Sequence, residues 1–282
     1  MPKAKEQKMK NQITITNAIP RPGRFGPAWA AFLLLVAAAS PSSGQVIPPS
    51  SLPYGYSYEE WSAKLWQWQM GRDTNDPATL GDPGICSGPG SHVRFPPVHY
   101  YPPGSGGIIL RTNDLTISDR TPLFIPILDT VSDNTACPVS DFTSYTPEQL
   151  EAFNAPLFSA VTEITCTIDG VAVAGLEDPI NTAYNVVSPP FSYTTAENGN
   201  ALGVIEGEYC IPGGLTIYPA VAQGVYVMVA PFSPGYHTLN TTIVIGPTNA
   251  PILQIEGFGN ITVTHDHDWD HDHDGDHDGH GP

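Results

Sequence analysis

Apolar residues recur at three different spacings along this 282-residue chain, and each spacing predicts a different element. A continuous run, Ala28 to Ala39 (AWAAFLLLVAAA), is too short to cross a bilayer as a helix, which takes about 20 residues. Trp61, Leu65 and Trp68 stand at i, i+4 and i+7, which predicts a helix to about Met70 with one aromatic face. Ser57 and Glu60 fit a capping box at its start, while Trp66 falls off the stripe. A second short helix is predicted over Pro147 to Phe153, with Thr146 as N-cap, Pro147 at N1 and Gln149 at N3.

The third spacing is period two. Val161 to Ile168 alternates apolar and polar residues, and Asp169-Gly170 followed by Val171 to Ala174 predicts a hairpin. Further strands are expected at Ile108 to Arg111 and Pro122 to Ile127, where Pro126 marks a strand edge or a bulge. Later ones are expected at Thr182 to Val187, Leu202 to Ile205, Leu215 to Val221 and Val225 to Val229. The last cover Tyr236 to Val244, Ile252 to Ile255 and Ile261 to Val263. Many short strands with turn signals and few helices predict a mainly β fold, an antiparallel β-sandwich or barrel-like body with one or two short helices.

Charge and composition divide the chain. Six of the eleven Lys and Arg lie in the first 24 residues, with Glu6 as the one acid there. A basic stretch, an apolar run and small residues describe a removable secretory signal peptide over 1–44, with a cut before Gln45. Residues 45–263 are expected to form a single β-rich domain with a Pro/Gly-rich loop region at 71–107, and 264–282 a disordered His/Asp-rich tail. Without the leader, five basic residues face 27 acidic ones, so phosphate backbones and anionic membranes are poor partners. Cys86, Cys137, Cys166 and Cys210 make an even count, which in an exported chain favours disulfides. Pairing of sequence neighbours, Cys86 with Cys137 and Cys166 with Cys210, is the simplest of the three connectivities.

The order of EEWSAKLWQW, PLFIPIL, TIDGVAV and VYVMVAPFSPGYHTL resembles a group of uncharacterised secreted bacterial proteins. These share a Trp-rich N-terminal helix and a β-sandwich-like body. The resemblance spans roughly Tyr54 to Val244 and excludes the tail. It implies export, periplasmic or extracellular, and a β domain; it brings no activity and no catalytic residue.

The most legible chemistry is at the C-terminus. His265, His267, His271, His273, His277 and His280 alternate with aspartates that include Asp270, Asp272 and Asp274. Imidazoles at i and i+2 share a face of an extended chain, so the tail is expected to bind divalent metal: zinc, copper or nickel, with calcium a weaker case. The Asp270, Asp272, Asp274, Gly275 spacing opens like an EF-hand loop, but Gly281 stands where its Glu is needed. In the body, His92, His99, Asp82 and Asp114 are the candidates for a small metal site or an acid/base pair. Trp61, Trp66 and Trp68 are read as a helix face plugging the core, or else as an aromatic platform for a neutral glycan or polymer. No GxSxG, HExxH, P-loop or dinucleotide fingerprint occurs. The leading expectation is a secreted, non-catalytic β protein that binds a ligand or polymer and carries a metal-binding tail. The alternatives are a secreted hydrolase or metal-dependent enzyme with its site in the 71–107 loops, and an extracellular metal buffer.

Overall fold

The computed structural model describes residues 44–73, 85–88, 91–96, 107–135, 143–198 and 211–265; 85–88, 91–92, 107–109 and 111–113 are described by their backbone alone. Both helices begin where their caps direct. In α1 (Tyr58–Gly71) the Ser57 hydroxyl accepts from the Glu60 N–H while the Glu60 carboxylate accepts from the Ser57 N–H. In α2 (Pro147–Ser159) Thr146 and Gln149 make the same reciprocal pair. Each cap satisfies donors that the first turn leaves open.

The strands are β1 (Val46–Ile47), β2 (Ile85–Gly88), β3 (Ser91–Arg94), β4 (Gly107–Ser118), β5 (Leu123–Asp133), β6 (Val161–Ile168) and β7 (Val171–Ala172). They continue with β8 (Asn185–Val187), β9 (Phe191–Thr194), β10 (Thr216–Val229), β11 (Gly235–Ile245) and β12 (Leu253–Thr264). Seven of them form one sheet in the order β1-β10-β5-β3-β2, with β8 and β9 also pairing with β10. The other five form a second sheet in the order β4-β12-β11-β6-β7. The mainly β, sandwich-like architecture with few helices is as expected, and neither sheet closes into a barrel. The expected antiparallel pairing holds at most positions, but β4 with β12 and β3 with β5 are parallel, so both sheets are mixed.

Two local expectations are realised in detail. Asp169 and Gly170 both take positive φ, 51° and 75°, as the two-residue β6–β7 turn requires. Opposite β10, the register of β5 skips Ile127 between Leu128 and Pro126. Proline offers no N–H to the ladder, and a bulge beside it removes the need for one.

β10 is buried on both faces. Phe124 and Tyr226 stack at 5.0 Å on the side covered by α1, where Tyr58 and Trp61 pack against Phe124. The Tyr58 hydroxyl donates to the Ile47 carbonyl at 2.6 Å and accepts from the Met228 N–H at 2.8 Å, so one side chain ties α1 to β1 and β10. The alternate register, with Ile125, Val225 and Val227, joins Ile164, Ile243, Ile255 and Ile261 of the five-stranded sheet in one core. At Gly257 of that sheet a Cβ would meet the Thr241 hydroxyl, which would have to turn away to make room. No helix among the described residues is long and apolar enough to cross a membrane.

Candidate functional site

The outward register of the five-stranded sheet carries a different set of side chains from the inward one. Inward lie Leu115, Ile117, Ile164, Cys166, Ile243, Ile255 and Ile261, all buried. Outward, register pairing aligns Thr165 with Thr242 and Glu256, and Thr238 with Asn260 and Asp114. Tyr236 and Phe258 belong to this outward set, at 87% and 47% exposure, and Leu110 lies diagonal to Phe258 on the next strand. Phe258 is four residues along β12 from the partner of Tyr236, about 13 Å at the strand rise.

Two side-chain pairs hold this face in place. Asn260 Nδ2 donates to Asp114 Oδ1 at 2.8 Å, and Gln254 Nε2 donates to Glu256 Oε1 at 2.8 Å. The five Lys and Arg that follow the leader fall elsewhere: Lys64 and Arg72 in or beside α1, Arg94 in β3, Arg111 at an inward register position, and Arg120 in the turn after β4. Among the described side chains the face therefore offers hydroxyls, amides, carboxylates, the aliphatic Leu110 and two aromatic rings, and no Lys or Arg.

The tryptophans are not a platform. Trp61 is 0% exposed and Trp66 2%, and Trp61 Nε1 donates to the Pro53 carbonyl at 2.9 Å. Trp68 is half-buried, with Phe95 at 5.7 Å on one side and the Arg72 guanidinium 4.8 Å from its ring centroid. Their rings fill the space between α1 and the seven-stranded sheet, where a helix lying on a sheet buries its widest side chains. Asp114 is on the outward face of β4, and the backbone of His92 belongs to β3 of the other sheet. The His92 side chain, Asp82 and His99 lie outside the described residues.

The expected pairing of Cys166 with Cys210 is not formed. Cys166 is a free, buried thiol at an inward position, and burial pushes it up to about 12. Cys137, Cys210 and the Cys86 side chain lie outside the described residues. Of the tail, His265 is described, while His267, Asp270, His271, Asp272, His273, Asp274, His277 and His280 are not. Among the described residues no three His, Cys, Asp or Glu side chains converge as a metal set would.

Two buried polar positions act in the fold. His237 is buried with Nδ1 2.8 Å from Asp169 Oδ2 and Nε2 2.8 Å from the Ser233 carbonyl, its ring against Phe232. Asp169 Oδ1 also accepts from the Thr238 N–H, so the β6–β7 turn is tied to the start of β11. The Tyr226 hydroxyl, enclosed under α1, is raised well above the usual phenol range by burial and then by the Asp129 carboxylate. A cleft of about 180 Å³ between β1 and the β6–β7 hairpin is smaller than the roughly 300 Å³ at which ligand sites begin.

Reading by sequence missed Phe258 because the strand was broken there. Gly257 and Gly259 separate the two expected runs, yet Ile255, Gly257, Gly259 and Ile261 keep one unbroken inward register. An aromatic at an even position of that register is the available signal.

No family model matches the chain, and no curated protein matches it. The solved structures to which it shows similarity include the cysteine protease inhibitor EhICP2 from Entamoeba histolytica, at 10% identity and a TM-score of 0.19, covering 56% of this chain and 95% of that one. PbICP-C, solved in complex with falcipain-2, stands at 9% identity and a TM-score of 0.19, covering 61% of this chain and 98% of that one. At such TM-scores neither likeness bears on what this chain does.

Proposed function

We propose that the protein is an exported, non-catalytic β-sandwich protein that binds a neutral polysaccharide chain on the outward face of its five-stranded sheet and divalent metal through its C-terminal tail. The observation that carries the polysaccharide reading is the exposure of Tyr236 and Phe258 on a face that otherwise carries hydroxyl, amide and carboxylate side chains and the exposed Leu110. A sugar ring presents an apolar face that stacks on an aromatic ring and equatorial hydroxyls that pair with polar groups beside it. Carboxylates without a neighbouring cation accept from such hydroxyls and repel an anionic chain. Export rests on the basic and then apolar N-terminus, and metal binding on the His/Asp run.

Affinity electrophoresis of the protein through gels containing uncharged or acidic polysaccharides tests the first reading. Retardation by an uncharged polymer is expected, weakened about tenfold or more when Tyr236 and Phe258 are both replaced by Ala. Unchanged retardation in the double variant would refute this face as the site. Retardation by the acidic polymer alone would refute the ligand class.

A further inference from the structure

Two stripes of α1 turn towards the seven-stranded sheet. Trp61, Leu65 and Trp68 form the aromatic one. Ser62, Trp66 and Gln69 stand at the same i, i+4 and i+7 spacing one position on, and all three are buried. This second stripe carries polar atoms into an otherwise apolar contact. Opposite it is Tyr226 of β10, whose ring folds back over Gly224 so closely that a Cβ there would come within 2.6 Å of the hydroxyl oxygen. Gly224 in turn pairs across the sheet with Asp129 of β5. The Tyr226 hydroxyl is therefore directed along the sheet, beneath the helix, with Trp66, Ser62 and the Asp129 carboxylate as neighbours.

Trp66 Nε1, Gln69 Oε1 and the Tyr226 hydroxyl are each enclosed, and none has a hydrogen-bond partner among the described residues. The Ser62 hydroxyl is committed elsewhere, donating to the Glu59 carbonyl at 2.8 Å within the helix. Folded proteins leave few buried polar atoms bare, because each one loses its hydration without compensation. Three such atoms meet here at one contact between a helix and a sheet. Trp66 and Gln69 are one helical turn apart, and Tyr226 faces that turn.

The three atoms also define what can join them. The indole N–H only donates, the amide oxygen only accepts, and the phenol does both. An anion would suit the indole and be repelled by the Gln69 and Asp129 oxygens; a cation would suit those oxygens and be repelled by the indole. A neutral molecule that donates and accepts at once suits all three. We propose that the seam between α1 and β10 is an internal hydration site, where one ordered water accepts from Trp66 Nε1, donates to Gln69 Oε1 and bonds the Tyr226 hydroxyl. Three partners is the usual number for a buried water. The water bridges polar groups that helix and sheet do not bring into direct contact, and so fixes how α1 sits on β10.

A high-resolution crystal structure of the protein, grown with bromide in the medium, tests the site directly. One density peak is expected within about 2.7–3.2 Å of all three atoms, with no anomalous signal from bromide. No peak, or a peak that gives the bromide signal, would overturn the proposal. Denaturant unfolding gives an independent reading through its sign. A bare buried hydroxyl is a burden, so its removal in Tyr226→Phe would raise the unfolding midpoint; a hydroxyl bonded to water contributes, so its removal should lower the midpoint. Gln69→Met should lower it as well, and the double variant should lose less than the sum of the two, because both act through one water. A midpoint raised or unchanged in Tyr226→Phe, or losses that simply add, would refute the shared water.

Discussion

The two sheets of this protein share one core but meet solvent differently. In the seven-stranded sheet, β10 (TIYPAVAQGVYVMV) is buried on both faces, because α1 lies over one side and the second sheet over the other. In the five-stranded sheet, β11 and β12 largely alternate, and no helix among the described residues packs broadly over their outward residues. A doubly covered strand reads as an apolar run and a singly covered one as an alternation, since each side chain need only suit the medium it faces. The difference assigns the two kinds of aromatic residue. Trp61, Trp66 and Phe124 are buried in the core, and Tyr236 and Phe258 stay exposed.

The contrast can be broken most forcefully at the helix. Trp61→Ala should cost about 3–5 kcal/mol, measured by denaturant unfolding, because a large buried ring is removed from between α1 and the sheet. A loss below about 1 kcal/mol would mean that α1 is not what buries that face. Alkaline titration probes the inward face of the other sheet. Burial raises the Cys166 thiol from 9.0 to about 12, so the folded chain keeps a proton that the unfolded chain gives up. Stability should therefore fall as pH rises from 9 towards 12, and more steeply in the unaltered protein than in Cys166→Val. Equal slopes would show that Cys166 reaches solvent before unfolding.

Smaller effects refine the comparison. Tyr58→Phe leaves the buried Met228 N–H without its acceptor and should cost about 1–3 kcal/mol with little change in fold. Ser57→Ala should cost about 1 kcal/mol, because the cap of α1 is lost while the packing remains. Phe258→Ala should shift stability by no more than about 0.5 kcal/mol, since the ring is half exposed on an open face. A cost near that of Trp61→Ala would mean that the face is covered in the folded protein.

Much of the local structure was legible because its causes are local. Ser57 with Glu60, Thr146 with Gln149, the Asp169-Gly170 turn and the bulge beside Pro126 each depend on residues a few positions apart. Strand lengths were less legible. β10 and β12 each join two expected runs, because the intervening Gln223-Gly224 and Gly257 to Asn260 resemble turns until neighbouring strands supply their hydrogen bonds. α2 likewise extends past Phe153 to Ser159, with Pro156 inside it, where Asn154 Nδ2 donates to the Val221 carbonyl of β10. Tertiary contact outweighs a weak local preference there.

The candidate site was the least legible part. An i, i+4, i+7 aromatic stripe looks the same whether it meets a sheet or a sugar, and Phe258 between two glycines looks like a loop. The amino-acid sequence by itself determined the mainly β class, the two capped helices and the tight hairpin, all of which follow from composition and short-range spacing. Only the tertiary structure decided which aromatics are buried, that Cys166 stays a free thiol, that β4 runs parallel to β12, and that Asp119 reaches His265 across 146 residues. The reason is physical: burial and pairing are properties of what lies opposite a residue, and that partner is set by packing far along the chain.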